Sequence, residues 1–183
     1  MPSREAYLSQ PLERRLERLA RTPDELGEAP KTRSAEMLSR RPAAASWSAT
    51  EIVCHLRDVE ELFRIRFHTM LALDDPKILT LSADPADLAA WGIGGAVGHP
   101  LDPDRWAEDR LYARDDFAHA LTGFRRHRAE TLELLNSLSD KQWRRGGMHS
   151  QHGRLALGDW VASLASHDDN HVDQLKRALD GRP

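Results

Sequence analysis

Cysteine is all but missing from this sequence: Cys54 is the single one in 183 residues. No internal disulfide can form, and a reducing, cytoplasmic setting is expected. Long apolar runs are missing too. No stretch reaches the roughly 20 residues of a membrane-spanning helix, and the polar, charged N-terminus does not read as a signal peptide. Alternating runs of β-branched residues are absent, so no sheet is expected. Excess positive charge is also absent. The balance of 29 acids against 26 bases, formally −3, argues against nucleic acid as the main partner. The basic cluster Arg125, Arg126 and Arg128 has Asp115, Asp116 and Glu130 around it and reads as a solvated helix face. There is no Ser-His-Asp arrangement, phosphate loop, dinucleotide fingerprint or internal repeat.

What the chain does have is helical periodicity over a length that suits one domain spanning 1–183. Leu8, Leu12, Leu16 and Leu19 predict a first helix over 5–21, with a restart at Thr22-Pro23-Asp24-Glu25 and a short helical turn over 33–39. Ser48-Ala49-Thr50-Glu51 is a capping-box pattern. It opens a second helix over 48–73, with Ile52, Leu56, Val59, Leu62, Phe63 and Met70 on its inner stripe. Residues 74–112 form a long irregular connection. It allows short helices at 84–91 and 102–111, and it either shapes a pocket or is a variable surface link. A third helix covers 115–138. Arg128 falls inside its apolar stripe, where it either snorkels outward or pairs with a carboxylate, one of the protein such as Asp58 or one from a ligand. A connection over 139–154 leads to a fourth helix over 155–180. Four long helices permit an all-α, four-helix bundle, which can build a metal site from side chains on facing helices.

Chemistry concentrates in that last helix. His167 and His171 are four residues apart, on a face shared with Trp160 and Leu164, so both imidazoles point at least partly inward. Two inward imidazoles one turn apart suit a divalent cation. His55, at the edge of the second helix's stripe, is the third candidate ligand. Asp58, Asp168 and Gln174 are candidates to orient the imidazoles, Asp58 and Arg128 being those nearest a catalytic role. Cys54 adjoins His55 but points about 100° away from it and reads as an ordinary semi-buried residue. His149 and His152 precede the last helix and could supply a fourth ligand.

Two segments also carry a family resemblance. Trp47-Ser48, Glu51-Ile52-Val53 and His55-Leu56-Arg57-Asp58-Val59-Glu60 resemble the second-helix motif of the DinB/YfiT-like superfamily. Gly153 to Leu157, followed by His167, His171, Gln174 and Leu175, resembles that family's last-helix motif. The resemblance implies an up-down-down-up bundle, a homodimer, and a metal held by His55, His167 and His171. It implies zinc or nickel first, with iron or manganese also possible for such ligands. Characterised relatives include transferases and isomerases that use a low-molecular-weight thiol. The N-terminal extension and the insert over 74–112 depart from the minimal pattern, so no particular substrate carries over.

Three neutral imidazoles leave a divalent ion at least one open position, which can acidify water, polarise a carbonyl or acidify a thiol. The expected function is a metal-dependent transferase that activates a low-molecular-weight thiol toward an electrophilic small molecule. A metal-dependent hydrolase is the nearest alternative. A non-catalytic, metal-stabilised stress-response or binding module comes from another class.

Overall fold

The computed structural model describes residues 3–79, 89, 91 and 102–183. The described elements run α1 (Arg4–Leu8), α2 (Leu12–Glu28), α3 (Ala35–Ser39), α4 (Ala49–Ala72), α5 (Pro103–Asp109), a 3-10 turn (Tyr112–Arg114), α6 (Phe117–Asn136), α7 (Asp140–Trp143), β1 (Gly146–His149), β2 (Gly153–Ala156) and α8 (Leu157–Leu179). The four long helices α2, α4, α6 and α8 form the bundle. Among the described residues, no helix is long and apolar enough to cross a membrane.

Cross-helix contacts fix the directions. Leu19 and Pro23 of α2 meet Arg128 and Arg125 of α6 in reversed order, so these two helices are antiparallel. Arg57 and Arg64 of α4 meet Asp115 and Glu130 in the same order, so α4 and α6 are parallel. His55 meets His167, whereas Phe63 meets Trp160, so α4 and α8 are antiparallel. The helices therefore run up, down, down, up. Both α2 and α4 pack on α6 and α8, which places α2 diagonally across from α4.

This topology explains the long connection. Two consecutive parallel helices need a return of roughly the 36 Å that 24 helical residues span. The described part of that return is anchored at both ends. Ile78 N–H donates to the Met148 carbonyl at 2.9 Å. Tyr112, fully buried, donates its hydroxyl to Asp58 at 2.7 Å. The helix expected over 102–111 is α5, opened by Asp102 accepting from the N–H groups of Asp104 and Arg105. The helix expected at 84–91 lies outside the described residues.

Three expectations need correction. The first helix is broken at Pro11, and α2 then continues through Pro23 instead of restarting there. Proline cannot donate to the carbonyl four residues back. That carbonyl belongs to Leu19, and Arg128 Nη1 donates to it at 2.7 Å, replacing the missing bond. Second, the connection over 139–154 is not sheet-free. It holds α7, closed by a Ser139/Gln142 capping box, and a two-stranded antiparallel hairpin pairing Gly146 with Ala156 and His149 with Gly153. Third, Arg128 neither snorkels nor reaches Asp58, as described below.

The hairpin requires glycine at its root. A Cβ on Gly146 would stand 2.1 Å from the Leu155 carbonyl oxygen, which is backbone and cannot swing aside. Gly146→Ala is therefore expected to destabilise the protein by about 1–3 kcal/mol, the usual cost of overpacking. Urea denaturation measures this, and an unchanged midpoint would contradict the strand pairing.

The core is in two parts. One apolar cluster includes Ile52, Leu56, Phe124 and Leu175, and the other Val59, Phe63, Trp160 and Leu164. Between them, at mid-bundle, lies a polar layer that includes Thr22, Glu60, Arg128 and Asp168, all buried. The candidate site adjoins that layer.

Candidate metal centre

His55 owes its position to the start of α4. The Ser48 hydroxyl accepts from Glu51 N–H at 3.3 Å, and the Glu51 carboxylate accepts from Ser48 N–H at 2.8 Å, completing the capping box. Glu51 is buried, and burial pushes its carboxyl up. The Arg41 guanidinium and the Ser48 bonds outweigh that and hold it below the usual carboxylate range. His55 sits in the second turn, 2 % exposed. His167 and His171 lie in the middle of α8, where both are half-buried.

The structure brings these three together and leaves the loop histidines out. Nε2 of His55 lies 3.1 Å from Nε2 of His167. The His171 ring centroid is 4.6 Å from that of His55 and 4.3 Å from that of His167. One ring nitrogen from each can be chosen so that all three lie within 4.8 Å of one another. Among the described residues this group has three members, with no cysteine or carboxylate in it. His149 and His152 instead lie against each other, tilted by 32°, with His149 against Trp160.

Two nitrogens bound at about 2.0–2.1 Å to a tetrahedral ion stand roughly 3.3 Å apart. The 3.1 Å between the His55 and His167 nitrogens is close to that value. His171 Nδ1–H donates to Gln174 Oε1 at 2.7 Å, which leaves the Nε2 lone pair for the shared centre. The residues present thus fit a divalent ion in number, donor type and spacing.

Electrostatics supports the same state. Burial pushes the His55 pKa well below 6.5, with His171 adding to the effect. Burial, then His171, His55, Arg128 and Arg66, do the same for His167. Burial also lowers His171, though Gln174 and Asp168 partly oppose it. All three are therefore neutral near pH 7 and offer lone pairs.

This has a consequence for the metal-free protein. The folded pKa values lie below the unfolded value near 6.5, so the unfolded chain binds more protons as pH falls. Stability is complete above about pH 6.5 and is lost below it, by at most about 1.4 kcal/mol per pH unit for each histidine. Guanidinium titrations of the metal-free protein from pH 7.5 to 5 should show this slope. His167→Gln should reduce it, and an identical slope in both would show that His167 is not buried neutral.

Asp58 does not orient His55. Its oxygens accept from Arg57 at 2.8 Å, Arg110 at 2.8 Å and Tyr112 at 2.7 Å, tying the return segment to α4. Asp168 does not orient His167 either. It takes Arg128 through two bonds, at 2.6 and 3.0 Å, and the Thr22 hydroxyl at 2.5 Å. Of the sequence candidates, Gln174 is the one that holds an imidazole. Cys54 is fully buried with Sγ 3.5 Å from Asp115 Oδ2, and burial pushes its thiol far up, so it is an inert core residue.

A cavity of about 430 Å³ opens onto the three histidines. Its walls include Trp47, Pro103, Asp104, Gln174 and Arg177. The Trp47 ring is 4.8 Å from that of His55 and stacks on His171 at 6.4 Å. Sequence reasoning assigned Trp47 no role in the pocket, although its place directly before the cap at Ser48 was a usable signal.

A family model described as the DinB superfamily matches residues 18–175. The chain belongs to the DinB superfamily. Among solved structures, YfiT from Bacillus subtilis shares the fold with a TM-score of 0.73. It is 20% identical, and the match covers 91% of this chain and 85% of YfiT. YfiT is described as a probable metal-dependent hydrolase with an unusual four-helix bundle topology. No curated protein matches the chain. In this member of the DinB superfamily, the two motif segments bring His55 of α4 to His167 and His171 of α8, residues more than a hundred positions apart.

Proposed function

We propose that this protein is a divalent-metal enzyme, with His55, His167 and His171 as ligands, acting on a small molecule. The observation that carries the reading is three converging neutral imidazoles, with no fourth protein ligand among the described residues, beneath a cavity large enough for a substrate. A structural zinc site is normally closed by four protein ligands, so this donor set favours catalysis over a purely stabilising ion. When bound, the ion supplies an open position in which a thiol or a water molecule is acidified.

The nucleophile we favour is a low-molecular-weight thiol, transferred to an electrophilic carbon. Asp104 is the one acidic side chain on the cavity wall among the described residues, and it stands on α5 and not on the helices that carry the histidines. A thiol held by such an ion would be acidified there and would give its proton to solvent, so the cavity would need no further base of its own. The residues of the chain then hold the reactants: Gln174 fixes the tautomer of His171, and Trp47 shields one side from solvent. Hydrolysis is the second reading, favoured by the description of YfiT.

One assay separates them. The zinc- or nickel-loaded protein is offered a thiol panel with an electrophile panel, and loss of free thiol is followed beside thiol-independent ester and amide cleavage. Metal-dependent thiol loss supports the transferase, and cleavage without thiol supports the hydrolase. Inertness of the loaded protein in both arms contradicts an enzymatic role on these substrates.

Gln174→Leu tests the ligand arrangement. Losing the partner of a metal-bound imidazole usually costs 10- to 100-fold in affinity. A chelator competition should show a loss of about that size, whereas unchanged affinity would mean that His171 is not a ligand.

A further inference from the structure

The cavity over the three histidines has two unlike walls. One is flat and apolar. The planes of Trp47 and His171 are 16° apart, and Pro42, Ala45 and Pro103 continue the surface. This wall is held rigidly. Arg41 Nε donates to both oxygens of the buried Glu51 carboxylate, at 2.9 and 3.1 Å, and the same carboxylate accepts from Ser48 N–H. Both ends of the segment that carries Trp47 are thereby tied to one buried group.

The rest of the lining is mostly polar. It is formed by α8 beyond the histidines, with Gln174 and Arg177, and by Arg182 past the helix end. Arg177 gives Nη1 to Asp173 and Nε to the Pro183 carbonyl, and neither bond uses Nη2. Arg177 is ion-paired with Asp173, and Arg182 with Asp180 at 3.1 Å, while Asp104 is the one acidic side chain among the described lining residues. Imidazole ligands are neutral, so a divalent ion held by them keeps its full charge, unlike one held by carboxylates. The positive field in the cavity is then that of the ion, because the two arginines are each balanced by an acid.

The geometry points to a small anionic amphiphile as the substrate class of this site. Its planar apolar body lies against Trp47, its reacting group reaches the histidine centre, and its carboxylate or phosphate meets Arg177. The assignment rests on the metal reading above and deepens it, because it says which molecules the centre can hold. Cations are repelled, and neutral molecules of the same shape bind more weakly.

The test is isothermal titration of the zinc-loaded full chain with phenylacetate, its neutral isostere phenylacetamide, and acetate, which has the charge without the ring. Phenylacetate should bind about tenfold more tightly than the amide and about fivefold more tightly than acetate. Arg177→Gln should remove most of the preference over the amide. Trp47→Leu should remove most of the preference over acetate. Both variants should hold as much zinc as the unmodified chain. Equal affinity for phenylacetate and phenylacetamide overturns the assignment, as do preferences that survive both substitutions. A chain that takes up no zinc overturns the metal reading and the substrate class with it, whereas zinc uptake without ligand preference overturns the substrate class alone.

Discussion

Arg128→Met should lower the stability of the metal-free protein by about 3–5 kcal/mol, the usual cost of removing one partner from a buried ion pair. For a chain of this size that is a fall in Tm of about 6–20 °C. The reason lies in what the guanidinium touches. Arg128 is 1 % exposed and donates to Glu60 of α4 at 2.7 Å, to Asp168 of α8 at 2.6 and 3.0 Å, and to the Leu19 carbonyl of α2 at 2.7 Å. It stands on α6, so one side chain joins all four bundle helices. Burial alone would push its pKa down, but Asp168 and Glu60 outweigh this and hold it above the ordinary arginine value. Methionine keeps much of the stem and removes the charge. Two carboxylates then stay buried without a cation, and the carbonyl freed by Pro23 loses its donor. Arg128→Lys should recover only part of the loss, because one ammonium cannot reproduce the planar fork. Thermal denaturation settles the matter: a change in Tm of under 2 °C for Arg128→Met would mean that the network adds nothing.

His167→Ala should weaken zinc binding by two to three orders of magnitude. Structural zinc sites with four ligands bind with about 10–16 kcal/mol, so each ligand accounts for about 2.5–4 kcal/mol, or on the order of 100- to 1,000-fold. His55→Ala and His171→Ala should behave alike. His149→Ala and His152→Ala should have no such effect, since His149 packs on Trp160 and His152 on His149 instead of joining the group. The folded state should tolerate His167→Ala, because the imidazole leaves a buried Nδ1 without a partner among the described residues. Competition with a chromophoric chelator gives the affinities. Equal loss at His149 and His167, or none at either, would contradict the ligand assignment.

These two sites differ in how far the sequence revealed them. The start of α4 was legible because a capping box is local: Ser48 and Glu51 are three residues apart, and nothing distant decides their bond. The pair His167 and His171 was legible for the same reason, one turn apart on an apolar face. His55 was reachable through its stripe and through the family motif, although periodicity cannot say which helices meet. Arg128 was the opposite case. Its partners come from three other helices, and an arginine in an apolar stripe reads the same whether it snorkels or pairs. Pro23 looked like a break because the donor that repairs it comes from α6. Asp58 looked like an imidazole partner because it is one turn from His55, but its oxygens are taken by Arg57, Arg110 and Tyr112. The hairpin escaped notice because its strands are four residues long, rich in glycine and devoid of alternating β-branched residues.

X-ray absorption at the metal edge, on protein loaded with one equivalent of zinc, goes straight to the convergence of the three histidines. The expected spectrum has three imidazole nitrogens at about 2.0–2.1 Å, an oxygen ligand from water in the remaining position and no sulfur. Imidazole scattering should fall by one ring in His55→Ala. A spectrum with a sulfur ligand, or with the same number of imidazoles after that substitution, would show that the cation does not sit between α4 and α8.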